Sequence, residues 1–335
     1  MQFGIFDHMD NSGLKTSQQY RTRLQLIEAY DAAGFHAYHL AEHHGTPLGL
    51  APAPGIFLAA VAEHSERLRF GPLVYTFSIH HPLRLIEEIC MLDQLSGGRF
   101  ELGVGRGISP IEMGFYDDRE DRQAVYEEVC AIVLKGLAGG RLNHAGRFYS
   151  FDDVPLEITA VQQPHPPLWY GVAQPDRAVW AAERGMNVVA NGPAAAVRAI
   201  VEAYHAARAR TDHTGTAAPF IGVNRHLVVA ETDAAAQDLA RPAYRRWFDS
   251  LLHLWRANNR PIPLSFPDNF DDADAAGLCL VGSVERVRER IRQLLNETGI
   301  SYLLCRTAFG DLPLGASLTT VAAMREEIMP AFAAP

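Results

Sequence analysis

Cysteine is scarce and scattered: Cys90, Cys130, Cys279 and Cys305 are the only four, with no CxxC pair and no metal-ligand spacing. Each sits among apolar neighbours, so buried free thiols are expected rather than a redox motif or cysteine ligand set. No apolar run approaches the ~20 residues that a membrane span requires. The opening MQFGIFDHMD has neither the basic start nor the apolar core of a secretory leader, and a soluble cytoplasmic protein is expected. Positive charge is in deficit, with 30 Lys and Arg against 39 Asp and Glu and a net charge of −9. That balance disfavours nucleic acid or an anionic membrane as partner, while leaving room for a local basic pocket. Internal repeats, low-complexity tracts and composition shifts are also missing, so residues 1–335 are expected to form one domain.

What is present is apolar material in a regular alternation. Hydrophobic residues make up 48% of the chain, enough for a large buried core. Short β-rich runs are expected at residues 2–6, 37–40, 68–73, 100–104, 168–170, 187–190, 220–229 and 302–306. Most lack alternation, as do strands buried on both faces. Helical patterns lie between them: residues 20–33 ending at Gly34, 83–95 after Pro82, 176–184 before Gly185, and 283–295 opened by Ser283. Eight strand–helix units in a row predict an α/β fold of the (β/α)8 barrel type. An open doubly wound sheet is the runner-up, but no GxGxxG follows the first strand. Two stretches interrupt the rhythm, after the fourth and the seventh units. Residues 137–167 read as an insertion with a small β excursion. Residues 257–277, with three prolines and an acidic cluster, read as a long loop, either a substrate lid or disorder.

In such a barrel chemistry belongs where strands run into the loops at their C-terminal ends. The second strand ends in Glu42-His43-His44, which suits proton handling, metal binding or structural hydrogen bonding. Neighbours on an extended strand point opposite ways, so His43 and His44 are not expected to share a cavity. The third strand leads through Leu73-Val74-Tyr75, an apolar wall for a flat ligand or plain barrel packing, toward His80-His81. After the fourth strand Arg106 stands among Gly103, Gly105 and Gly107, placed for a phosphate that approaches the backbone. The fifth strand runs through Ala173-Gln174 into a helix start bearing Arg177, where free N–H groups and the helix dipole favour an anion.

Taken together, AEHHGTPLGLAP, HPLRLIEEICMLDQLSGGRFELGVGRG and WAAERG resemble the bacterial luciferase-like flavin monooxygenases, in order and spacing from residue 1 to about 310. The resemblance implies a (β/α)8 barrel, usually a homodimer, that takes reduced FMN from a separate flavin reductase. Oxygen then adds to the flavin as a peroxide, which oxidises a small organic substrate. It implies His43 as the catalytic residue and no metal. Arg106 matches an FMN-phosphate arginine, with Arg122 a looser match. Ala173, Gln174 and Arg177 fall in the phosphate turn. Leu73 and Val74, with Tyr75 after them, match a bulge, often with a non-proline cis bond, that backs the flavin ring. Gly105, Ala173 and Gln174 depart from the luciferase α-chain pattern and argue against light emission from a long-chain aldehyde. The alternatives are a deazaflavin-dependent hydride-transfer enzyme, a non-catalytic flavin-binding protein and a metal-dependent hydrolase with Glu42, His43 and His44 as ligands. Tyr75, Phe77 and Trp169 suit either an apolar or aromatic substrate or plain core packing.

Overall fold

In the computed structural model, which describes residues 1–116, 119, 121–211, 218–262 and 266–333, every expected strand forms within two residues of its expected bounds. In chain order they are β1 (Gln2–Asp7), β2 (Ala37–Leu40), β3 (Arg69–Pro72), β4 (Tyr75–Thr76), β5 (Leu102–Gly105), β6 (Gly140–Ala145), β7 (Ser150–Leu156), β8 (Leu168–Val172), β9 (Asn187–Ala190), β10 (Ile221–Val229), β11 (Cys279–Gly282) and β12 (Tyr302–Arg306). The helices are α1 (Thr16–Ala33), α2 (Pro54–Glu63), α3 (Pro82–Leu95), α4 (Pro110–Gly114), α5 (Arg122–Leu137), α6 (Pro175–Ala182), α7 (Ala194–Arg208), α8 (Asp233–Ala257), α9 (Phe270–Ala275), α10 (Val284–Thr298) and α11 (Leu314–Ala323).

Eight parallel staves close on themselves. β1 pairs with β2 and β12, β2 with β3, β5 with β8, β8 with β9, and β9 with β10, which returns to β12. A single parallel bridge between Phe70 and Phe100 joins β3 to the segment leading into β5. The helices form the outer layer, with the large core between them and the staves. Their ends follow local chemistry. Gly34 and Gly299 close α1 and α10 in the left-handed region, at φ 82° and 71°. The Ser283 hydroxyl opens α10 by accepting from the Arg286 N–H.

Inside the barrel a smaller apolar cluster of Trp169, Tyr302, Leu304, Val189 and Leu73 packs with Phe6 and Phe220. Gly71 is needed there, because a Cβ would fall 1.8 Å from the Glu101 carbonyl oxygen on the neighbouring stave. The lower end holds a buried polar knot: the Glu101 carboxylate accepts from Trp169 Nε1 and from Arg69 Nε. Burial alone would raise its pKa, but the contacts with His36, His39 and Arg69 outweigh it and hold the carboxyl at about 2.

The insertion after the fourth stave is the expected β excursion, an antiparallel hairpin of β6 and β7. The second interruption differs from expectation. Residues 266–277 are no bare loop: Phe270 and Ala273 of α9 are buried, and Phe266 packs edge-on against Trp247. An extra parallel strand, β11, then pairs with His226–Val229 of β10. Residues 263–265 lie outside the described residues, and the remainder of 257–277 lines no part of the cavity described below. All four cysteines are buried free thiols. No helix among the described residues is long and apolar enough to cross a membrane.

Candidate active site

A cavity of about 460 Å³ opens at the C-terminal ends of the staves. His43, Leu73, Val74, Arg106, Ala173, Gln174 and Arg177 all line it. Seven residues singled out along 135 positions of sequence thus meet in one place.

His43 is held from behind. Its Nδ1 lies 3.2 Å and 3.3 Å from the two carboxylate oxygens of Glu112 on α4. A carboxylate only accepts, so Nδ1 carries the proton, and Nε2 has no partner among the described residues. Glu112 also accepts the backbone N–H of His44 at 2.7 Å. The local sequence explains its place. Ser109-Pro110-Ile111-Glu112 has the pattern of a capping box, and the Ser109 hydroxyl does accept the Glu112 N–H at 3.3 Å. The carboxylate, however, turns across to His43 instead of back to Ser109.

His44 also borders the cavity, contrary to the alternation expected of it. β2 ends at Leu40, so strand geometry no longer applies at residues 43 and 44. Its nitrogens are committed: Nε2 donates to Glu42 Oε1 at 2.9 Å, and Nδ1 meets the Tyr116 hydroxyl at 2.5 Å. Glu42 further accepts from His80 Nε2 at 2.8 Å and from the Thr76 N–H at 2.6 Å. Burial opposes its charge, but the hydrogen bonds from His44 and His80 prevail and hold its carboxyl at about 2. His80 responds in kind: burial disfavours its proton, and Glu42 more than restores it, raising its pKa. Glu42, His44 and His80 therefore form a closed hydrogen-bonded brace in the cavity wall. Among the described residues no group of three or more His, Cys, Asp or Glu is arranged to hold a metal.

The opposite wall is apolar and flat. Leu73 and Val74 are joined by a non-proline cis peptide bond, as the resemblance implied. Val74 packs onto Gly105, where a Cβ would come within 2.3 Å of its methyl group. Beyond this wall lies the basic end. Arg106 is exposed and reaches Gln123 at 3.4 Å, and Arg177 is exposed in the first turn of α6. No side chain caps α6, whose N-cap is Gln174, so this helix start is open to an anion. Planar apolar wall, open helix start and two cations together fit a flat ring system carrying a phosphate.

Two of the expected site residues do not line the cavity. Tyr75 follows Val74 and points the other way, fully buried, its hydroxyl donating to Glu88 of α3 at 2.6 Å. Arg122 opens α5 but does not line the cavity; its neighbour Gln123 does. Two residues went unnoticed in the sequence. Glu112 was legible only as a helix-capping pattern. Asn224 is a lone amide in the buried run of β10; it lines the cavity and its Oδ1 is buried without a partner.

The profile of the luciferase-like monooxygenase family matches residues 1–302. The chain belongs to this family. Protein y4wF of Sinorhizobium fredii is 44% identical over 98% of this chain and 96% of its own. The oxygenase component of a flavin-dependent trigonelline monooxygenase from Acinetobacter baylyi is 29% identical, over 56% of this chain and 53% of its own. Among solved structures, monooxygenase RslO1 of Streptomyces bottropensis matches with a TM-score of 0.88 and 26% identity, over 99% of this chain and all of its own. The oxygenating constituent of 3,6-diketocamphane monooxygenase from Pseudomonas putida, solved with FMN, matches with a TM-score of 0.85 at 20% identity, over 100% and 99% of the two chains, a likeness of fold.

Proposed function

We propose that this luciferase-like monooxygenase binds reduced FMN in the cavity and, with molecular oxygen, oxidises a small organic substrate beside His43. The observation that carries the reading is the meeting of His43, held by Glu112, with an apolar wall, Arg106 and an uncapped helix start in one cavity. Arg106, Arg177 and the first turn of α6 hold the phosphate, and Leu73 and Val74 back the ring. When bound, the reduced flavin supplies the electrons that activate oxygen.

The chain's own residues do the rest. Glu112 fixes the His43 tautomer and orientation, so that Nε2 of the neutral ring accepts a proton and the carboxylate steadies the imidazolium that results. The brace of Glu42, His44 and His80 holds this segment in place, and the apolar wall keeps water from the reacting face. The protein draws its reduced flavin from a separate reductase, acts as a homodimer of one-domain subunits and works in the cytoplasm.

The test is an anaerobic titration with reduced FMN, followed by air. Stoichiometric binding, then reoxidation at a rate that changes in His43→Ala, supports the proposal. A protein that binds a deazaflavin but not reduced FMN, or bound flavin reoxidised at the same rate with and without His43, defeats it.

A further inference from the structure

Across the barrel mouth from Arg106 lies a polar cluster that the proposed chemistry leaves unused. Arg306 ends β12, two residues after Leu304 and four after Tyr302, and like them it faces the barrel interior. It is 6% exposed. Its Nη1 donates to His226 Nε2 at 2.8 Å, while Nε is buried with no partner. Its Cζ lies 5.2 Å from the centre of the Phe6 ring and 4.8 Å from that of Trp247. Asp10 and Asp7 act on it only at a distance: Asp7 accepts from Arg23 and Tyr38, while Asp10 accepts the Gly310 N–H through Oδ2 and leaves Oδ1 buried without a partner.

A guanidinium keeps its charge in any protein interior, so this is a buried cation without a contacting counter-ion. Burial lowers it only to about 10, which leaves it charged at neutral pH. No neighbouring acceptor makes a hydrogen bond to its Nε, although Asp10 Oδ1 is also buried without a partner nearby. Burial and then the charge of Arg306 keep His8 and His226 well below their usual pKa and therefore neutral. His8 Nδ1 accepts from Trp247 Nε1 at 3.2 Å, so its proton sits on Nε2. The one acceptor of His226 that faces Arg306 is already taken.

The cluster lies just behind the wall of the candidate cavity, without lining it. Phe6, against which Arg306 stacks, lines that cavity, as does Asn224, two residues before His226 on β10. The His8 and His43 rings are 5.5 Å apart. We propose that this cluster is the polar end of the substrate site, and that the substrate carries a carboxylate or an equivalent anionic oxygen. That oxygen pairs with Arg306 and His8 past the edge of Phe6. The apolar body of the substrate lies on Phe6 with its reacting carbon beside His43. The assignment rests on the cavity being the place of oxidation, and it narrows the substrate to an amphipathic acid.

The test is calorimetric titration of the flavin-free protein with benzoate and hexanoate against benzamide and hexanamide, with FMN binding measured separately on the same preparations. At least one carboxylate is expected to bind roughly 10–100-fold more tightly than its amide, the increment of a charge-assisted hydrogen bond. Arg306→Met removes that preference, Arg306→Lys retains most of it, and both keep wild-type affinity for FMN. Carboxylates that bind the wild type no better than amides, absence of binding included, overturn the proposal. So does a preference that survives in Arg306→Met. Should that variant fail to fold, the wild-type comparison and Arg306→Lys still decide. Failure of FMN to bind the wild type would instead sink the cofactor reading and leave the anion preference standing.

Discussion

Replacing Glu42 with glutamine tests the hydrogen-bonded brace in the cavity wall. The side chain is wholly buried and accepts from His44, His80 and the Thr76 N–H. Its carboxyl is held at about 2 against an ordinary value of 4.5. At ~1.4 kcal/mol per pKa unit this amounts to about 3 kcal/mol of stability, an order-of-magnitude figure that already includes the pairing with His80. The sign follows from the depression of the pKa. The contribution is complete above about pH 4.5 and is lost as pH falls toward about 2. His80 titrates the other way: its raised pKa favours the fold at low pH and fades as pH rises through its folded value. Glutamine keeps the shape and one acceptor but no charge. Urea unfolding followed by tryptophan fluorescence is expected to show Glu42→Gln weaker by about 2–3 kcal/mol near neutral pH, with a shallower acid limb than the wild type. A loss under about 0.5 kcal/mol, or an unchanged acid limb, would refute the brace.

Further outcomes bear on the site and the barrel. His43→Ala should bind reduced FMN normally yet oxidise substrate on the order of 10²–10⁴-fold more slowly in single-turnover kinetics; unaltered turnover rules out proton transfer at that residue. Arg106→Ala should lose roughly 10-fold or more in affinity for FMN and little for riboflavin, read by flavin fluorescence; equal losses would move the phosphate elsewhere. Gly71→Ala forces a methyl into the Glu101 carbonyl, 1.8 Å from where its Cβ must sit. It should cost roughly 1–3 kcal/mol or more by denaturant melting, and a neutral result would mean that β3 and β5 separate freely.

Much of this protein was determined by sequence alone, wherever the cause of a structure is local. Staves buried on both faces require unbroken apolar runs, and glycines such as Gly34 and Gly299 end helices because only they enter the left-handed region cheaply. His43, Arg106 and Arg177 were legible for a related reason: a barrel places strand ends on one face, so position along the chain gives position at the site. Tertiary structure decided what depends on partners distant in sequence. Glu112 reads as an ordinary helix start until α4 brings it to His43, 69 residues away. Tyr75 has the composition of a ligand contact, yet the change of direction at Val74 sends it into α3. The segment near residue 270 looks like loop because its prolines and acids dominate the local pattern, while Phe270 finds its place only beneath α8. Arg306 shows the division most plainly. Its charge is written in the sequence, but its burial without a counter-ion arises from β10, β1 and α8 converging on it, which no local pattern records.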